Sequence, residues 1–425
     1  MSDEYRAMWE KLNINMRRHD ALMGALPAVF DRIYLSQRGR PQAMGFYDYV
    51  VSEIHGLRVK ELVEHKEKGG KVFGAFCVYV PEEVIIAAGG IAVGLCGGAD
   101  FSVPTGEQIL PRNLCALIKS AVGFKIGRIC PYFQVADLII GETTCDGKKK
   151  TWEILDEYVP TYVMDLPNSR STADRALWIS ELKRFVGKVE EVTGNKVTPD
   201  RLAQATAILN AKRAALQRLF NLRRARPAPI SGLDALLAVQ ISFYDDPLRF
   251  TQKTNELCDE LEARVNAEQG VAPAGAKRIL YAGTPMPIPF WTIPSLIENT
   301  GAVMIAEESC TGTRLLVGGQ TTIPGDGLDA QLAAIADRQL QTNCACFTPN
   351  DARIDDILRL AQEYQADGVV HFSLSFCQTY NLEATRVSKA LEKAGVPVLV
   401  LEGDYTEEQA GQLKTRIEAF IETLS

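Results

Sequence analysis

Residues 71–98 read KVFGAFCVYV-PEEVIIAAGG-IAVGLCGG, and this stretch decides the fold. Its first ten residues are apolar and rich in β-branched side chains, between a glycine pair and Pro81. That pattern predicts a buried strand over 71–80. The next ten open on Pro81 with Glu82 and Glu83 in the first turn and stop at Gly89 and Gly90, which predicts a short helix. Residues 91–98 are strand-like again. Strand, helix and strand in so short a span form the repeating unit of a parallel sheet. Residues 136–147 (strand, then turn), 148–159 (helix) and 160–167 (strand) continue the alternation, so 67–170 reads as one α/β domain.

Upstream, residues 1–66 look helical and amphipathic, with Pro41 interrupting. Downstream, 171–274 turns to long helices with a 3.6-residue apolar period, broken by RRARPAPISG at 223–232. From 275 to 425 the strand–helix alternation returns. KRILYAG, AVMIAEES, DGVVHFSLSFC and PVLVLEGDY read as strands with helices between them. The predicted fold is two parallel-sheet α/β domains facing across a cleft, with a helical N-terminal region and a helical connecting segment.

The chain has 425 residues, long enough for two or three domains with substantial cores. Hydrophobic residues at 46% and charged residues at 23% exclude global disorder. A net charge of −7 argues against a nucleic-acid binder. Mean hydropathy is −0.04, and no apolar run reaches the ~18 residues of a membrane span. The N-terminus has no apolar core of signal type. The expectation is a soluble cytoplasmic protein that binds neither nucleic acid nor membrane.

Ten cysteines against four histidines is the unusual feature of the composition. A reducing cytoplasm disfavours structural disulfides. No CxxC pair occurs, which removes zinc-ribbon and thioredoxin-like readings. Cys145, Cys310 and Cys377 follow predicted strands, Cys115 begins a predicted helix and Cys346 precedes one. Ligands of open α/β sheets gather at strand carboxyl ends, where helix N-termini offer free N–H groups. Thiolates from two facing domains could therefore converge on one site. The plainer reading of any cysteine is a small buried hydrophobe. It is preferred for Cys258 in mid-helix and for Cys77 inside a predicted strand, and left open for Cys96 and Cys344.

GETTCDGKKK (141–150) resembles a phosphate loop and fails as one. Gly141 and Gly147 enclose five residues, and Lys149 stands where Ser or Thr is needed. No GxSxG, HExxH or GxGxxG appears, so this chain is expected to bind no nucleotide. His19, His55 and His65 read as solvated. His371 reads either as a satisfied buried histidine or as a proton donor. Glu307 and Glu308 could supply protons beside Cys310. Arg314 could balance charge, bind an anion or make a surface salt bridge.

The segments FCVYVPEEVIIAAGG, GLCGG, LPRNLCALIKS, ICPYF, GETTCDGKKKTWEIL, EESCTGTR, CACFTPNDARI and DGVVHFSLSFCQTYNLE, in this order, resemble the 2-hydroxyacyl-CoA dehydratase/benzoyl-CoA reductase superfamily. Within it they are most similar to the double-cubane cluster proteins. The likeness runs from about residue 67 to the end; the helical middle is not distinctive. The resemblance implies an iron–sulfur oxidoreductase component. Cys115, Cys145 and Cys377 would hold one [4Fe–4S] cubane, as in the dehydratases. Cys130, Cys310 and Cys346 would hold a second, joined to the first by sulfide as [8Fe–9S], with Cys96 and Cys344 as candidate replacements. Glu308, His371 and Arg314 are the catalytic candidates. The resemblance also implies a homodimer and a separate ATP-hydrolysing [4Fe–4S] activator, with ATP-dependent low-potential reduction of small molecules of the acetylene or N–N-bonded type. The alternative is a 2-hydroxyacyl-CoA dehydratase subunit with a single cubane. A third reading, from another class, is a non-redox protein whose thiols bind structural zinc or nothing.

Overall fold

The computed structural model describes residues 5–95, 97–325 and 327–424. Its frame is two four-stranded sheets, parallel throughout. The first holds β1 (Val72–Ala75), β2 (Ile91–Gly94), β3 (Leu138–Glu142) and β4 (Thr161–Met164) in the order β2-β1-β3-β4. The second holds β5 (Arg278–Gly283), β6 (Val303–Glu308), β7 (Gly368–Leu374) and β8 (Val398–Gly403) in the order β6-β5-β7-β8. The same topology is thus built twice. In each sheet the first strand lies between the second and third. Connections leaving those strands diverge to opposite sides there, which opens a crevice at the carboxyl edge.

All eight expected strands are present, but the first is shorter than its sequence suggests. β1 ends at Ala75, where its pairings with Gly94 of β2 and Ile140 of β3 also end. Residues 76–80 leave the sheet as a loop, and Cys77 leaves with them.

Each sheet buries both faces, as βαβ crossovers require. Alternate residues of β1 and β3 separate: Val72 and Ile139 enter one core, while Phe73, Leu138 and Ile140 enter another. In the second sheet Ile279, Tyr281, Val370 and Phe372 join that first core, and Leu280, Ala282 and Val369 form a third. The first core is therefore shared by the two lobes. Through it runs the helix Gly232–Ile241, buried at all ten positions. Its two polar side chains are bonded there, Asp234 to Arg40 and Gln240 to the Met286 carbonyl and Trp291, and an otherwise apolar helix belongs in a protein interior.

The N-terminal helices Met16–Phe30, Met44–Ser52 and Leu57–Glu67 pack on this shared core. The connecting helices include Thr172–Thr193, started by a Ser171–Asp174 capping box and stopped by the left-handed Gly194, and Pro199–Leu222. The helix Leu328–Gln339 belongs to the second α/β region by chain order, yet it packs in the core on the outer face of the first sheet. There Gln339 accepts from Trp178 Nε1 at 3.0 Å and donates to the Tyr79 carbonyl at 2.9 Å. The Tyr79 hydroxyl donates to the Thr342 carbonyl at 2.8 Å. The loop bearing Cys344 and Cys346 is thereby fastened beside Cys77. No helix among the described residues is long and apolar enough to cross a membrane.

Candidate metal centre

Between the lobes lies a cavity of about 620 Å³. Both sheets aim their carboxyl edges at it. Cys77 reaches it from the loop after β1, Cys145 after β3, Cys310 after β6 and Cys377 after β7. Cys115 comes from the N-cap of the helix Ala116–Ile126, and Cys344 and Cys346 come from the loop after Leu328–Gln339. Among the described residues, seven thiols therefore line one space. Cys145 and Cys377 are also N-caps, of Asp146–Asp156 and Gln378–Lys393. Unpaired N–H groups at such helix starts favour negative charge. Cys145 Sγ accepts the Lys148 N–H at 3.4 Å, and the Cys377 thiol lies 3.7 Å from the Thr379 hydroxyl.

The thiols fall into two groups. Cys115 and Cys377 are each other's strongest influence, and Cys145 is an electrostatic neighbour of Cys377. Cys115 holds the Cys377 thiol below its ordinary value, and Cys377, with burial, pushes Cys115 up. Cys344 and Cys346 form the second such pair, with Cys344 held down and Cys346 pushed up. Cys310 and Cys77 are electrostatic neighbours of that pair. Burial raises both, and the Arg314 charge opposes it at Cys310. Among the described residues no three His, Cys, Asp or Glu side chains stand close enough to hold a single metal ion. The thiols instead surround a larger volume, with Glu82, Asp146 and Asp165 also on its wall. Soft thiolate donors suit iron–sulfur clusters. Much of the wall is apolar, with Phe76, Leu95, Phe243, Ile288 and Leu374 among its residues.

Five of the six cysteines singled out in the sequence line this cavity; Cys130 does not. It caps the five-residue helix Pro131–Val135, which leads into the amino end of β3 rather than out of a carboxyl end. It is buried beside Met23, His55 and Tyr132 in a separate small pocket. Cys258 is fully buried in the helix Pro247–Asn266, as its mid-helix position suggests. Cys96 lies outside the described residues.

The three catalytic candidates are all buried, and none lines the cavity. Glu308 is clamped by two arginines, accepting from Arg314 Nε at 3.0 Å and Arg353 Nη2 at 2.8 Å. His371 sits inside β7 with neither ring nitrogen bonded to another residue, so it is not a satisfied histidine. Burial, and then the Arg353 charge, push it down to about 3, which leaves it neutral near pH 7. Arg314 is no surface salt bridge. It is 1% exposed, and its Nη1 lies 3.5 Å from Cys310 Sγ. The expectation of solvated histidines also fails for two of three. His19 and His55 are buried and hydrogen-bond to each other at 3.1 Å beneath Trp9.

Two features of the site are not evident from sequence. Cys77 reads as a strand-interior residue because nothing in KVFGAFCVYV marks Ala75 as the strand end. Lys148, part of the failed phosphate loop, lines the cavity with its ammonium paired to the buried Glu142. Burial works against that charge, but Glu142 and Cys77 hold Lys148 above the ordinary lysine range. Its spacing of three from Cys145, which puts both at one helix start, is the available signal.

Against known proteins, residues 77–424 match the family model described as 2-hydroxyglutaryl-CoA dehydratase, D-component. The chain is 37% identical over 410 residues to YjiM of Escherichia coli (strain K12), named only provisionally as a dehydratase subunit; the match covers 95% of this chain and 100% of that one. It is 26% identical over 373 residues to the (R)-phenyllactyl-CoA dehydratase beta subunit of Clostridium sporogenes, covering 86% and 95%. With one component of the benzoyl-CoA reductase of Thauera aromatica it shares 22% identity over 334 residues, covering 77% and 84%.

Proposed function

The chain belongs to the 2-hydroxyglutaryl-CoA dehydratase D-component family, and from that premise we propose that it is the catalytic component of an iron–sulfur reductase carrying a double-cubane [8Fe–9S] cluster. The observation that carries the reading is the convergence of seven thiols from both lobes on one cavity. Cys115, Cys145 and Cys377 would hold one cubane. Cys310 and two of Cys77, Cys344 and Cys346 would hold the other. Cys130, which lies off the cavity, is left out of this set. A dehydratase with one cubane needs three thiols, and the four on the opposite wall would then have no task. When bound, such a cluster supplies a store of low-potential electrons, delivered by a separate ATP-hydrolysing activator, for reducing small acetylene- or N–N-type substrates.

The chain's own residues do the rest. The helix starts at Cys145 and Cys377 present N–H groups to sulfur. The apolar walls exclude water, which disfavours added negative charge and lowers the reduction potential. Lys148 and Glu142 place a fixed ion pair against the space where substrate would bind. The family description and the name of the (R)-phenyllactyl-CoA dehydratase relative favour the second reading, a 2-hydroxyacyl-CoA dehydratase subunit, for which a single cubane would suffice.

Iron and acid-labile sulfide counts after anaerobic purification decide between them. About eight irons per chain and a homodimer are expected; about four, with a different partner subunit, would establish the second reading. Zinc without sulfide would refute both. Cys145→Ala and Cys310→Ala should each lose about half the iron, and Cys130→Ala none.

A further inference from the structure

The two thiol groups do not share one electrostatic environment. Arg314 stands at only one of them. Its Nη1 lies 3.5 Å from Cys310 Sγ and also meets the Tyr380 hydroxyl. Its other edge, Nε and Nη2, is taken by Glu308 at 3.0 and 2.5 Å. The carboxylate therefore neutralises the far side of the guanidinium and leaves the donor edge facing sulfur. Arg353, fully buried, braces the arrangement by binding Glu308 at 2.8 Å and Glu383 at 2.6 Å. Gly312 makes the turn possible: a Cβ there would meet the Glu307 carbonyl oxygen at 2.1 Å. A guanidinium does not deprotonate in a protein, and a buried one is little screened by salt.

At the other group, the described contacts to sulfur come from backbone N–H groups (Lys148 to Cys145, Leu117 and Ile118 to Cys115, Tyr380 to Cys377), a hydroxyl (Thr379 beside Cys377) and the thiols themselves, and none is a charged side chain in hydrogen-bond contact. The Lys148 ammonium does not restore the balance. It acts on Cys77 and Cys310 as well as on Cys145, and Glu142 offsets it.

We propose that Arg314 makes the two halves of the centre unequal, so that an electron entering it comes to rest on the Cys310 side. A charged hydrogen-bond donor on a ligand sulfur stabilises the reduced form and raises the potential of that half. This inference rests on the double-cubane reading above. The step is a one-electron reduction by the low-potential iron–sulfur donor, with no bond made or broken. Arg314 is a positioning residue; it acts through the Cys310 ligand.

The test uses the full chain, loaded and purified anaerobically, with iron and sulfide counted first. A potentiometric titration with titanium(III) citrate, followed by electron paramagnetic resonance, then reads each reduction step. In Arg314→Gln the iron should be unchanged and the first step should move to more negative potential, with an altered signal. Arg314→Lys should move it less. Thr379→Val, on the other half, should leave the first step in place. Full iron with an unmoved first step in Arg314→Gln would overturn the proposal, as would a first step that follows Thr379→Val instead. Should Arg314→Gln not load, Arg314→Lys and Tyr380→Phe carry the test. Loss of iron in both would make Arg314 a structural brace and also overturn the proposal. A wild-type chain without iron or sulfide would instead sink the underlying reading, which separates the two failures.

Discussion

Gln339→Leu tests whether the cysteine loop at 344–346 is held by the first lobe. Gln339 is 1% exposed, and both ends of its amide are engaged. Leucine keeps most of the volume, so lost packing contributes little. The substitution leaves two buried groups without these partners, the Trp178 indole N–H and the Tyr79 carbonyl. An orphaned buried polar group costs about 1–3 kcal/mol, so the pair costs about 2–6 kcal/mol. Gln341→Leu is the matched control. That residue is exposed, with one 3.3 Å bond to the Asp337 carbonyl, and should change stability by no more than about 0.5 kcal/mol. Denaturant unfolding gives the two differences. Amide exchange should show the Gln339→Leu loss concentrated at residues 76–81 and 340–347. Equal stability of the two variants, or protection lost evenly along the chain, would refute the fastening.

Glu298 accepts backbone N–H bonds from Gly232 and Leu233, and burial pushes it up to about 7. Its folded value exceeds the unfolded one, so its contribution is full below about 4.5 and disappears as pH rises through about 7. That is on the order of 3 kcal/mol. Denaturant midpoints should fall across this window, and Glu298→Gln should flatten the fall; a parallel curve would contradict the assignment. Cys258→Ala should cost on the order of 1 kcal/mol in denaturant unfolding and leave the iron count untouched, because its thiol is packed in the core, donating to the Ala215 carbonyl at 3.8 Å, away from the cavity. Iron loss there would undo the division between core and cavity cysteines. Gly312→Ala forces the backbone apart at Glu307 and should cost about 1–3 kcal/mol or more. Wild-type stability by the same measurement would show that the close approach is not needed.

The strands are legible because each is a short apolar run between turn residues, and parallel strands buried on both faces have that appearance. For the same reason the end of β1 is not legible. Phe76 and Val78 continue the apolar run, and only the neighbouring strands, by ending their pairing at Ala75, release Cys77. Cys145 is legible because it follows a predicted strand, whereas Cys130 entered the ligand set through the resemblance alone. Its helix leads into the amino end of β3, a property of topology that ICPYF does not reveal. His19 and His55 sit among polar residues and read as surface. Their burial depends on Trp9 and Tyr132, contacts between segments far apart in the chain. Arg314 is legible as a cation near Cys310, but its role cannot be chosen until Glu308, Arg353 and Tyr380 are seen around it.

The helix Leu328–Gln339 has a consequence for biogenesis. It covers the outside of a sheet whose own strands are completed by Met164. During synthesis, Trp178 and its neighbours must wait for more than a hundred further residues before this lid arrives. The same arrival brings Cys344 and Cys346 to Cys77. Closing the interior and completing the sulfur-lined chamber are thus one event, because a single stretch of chain does both.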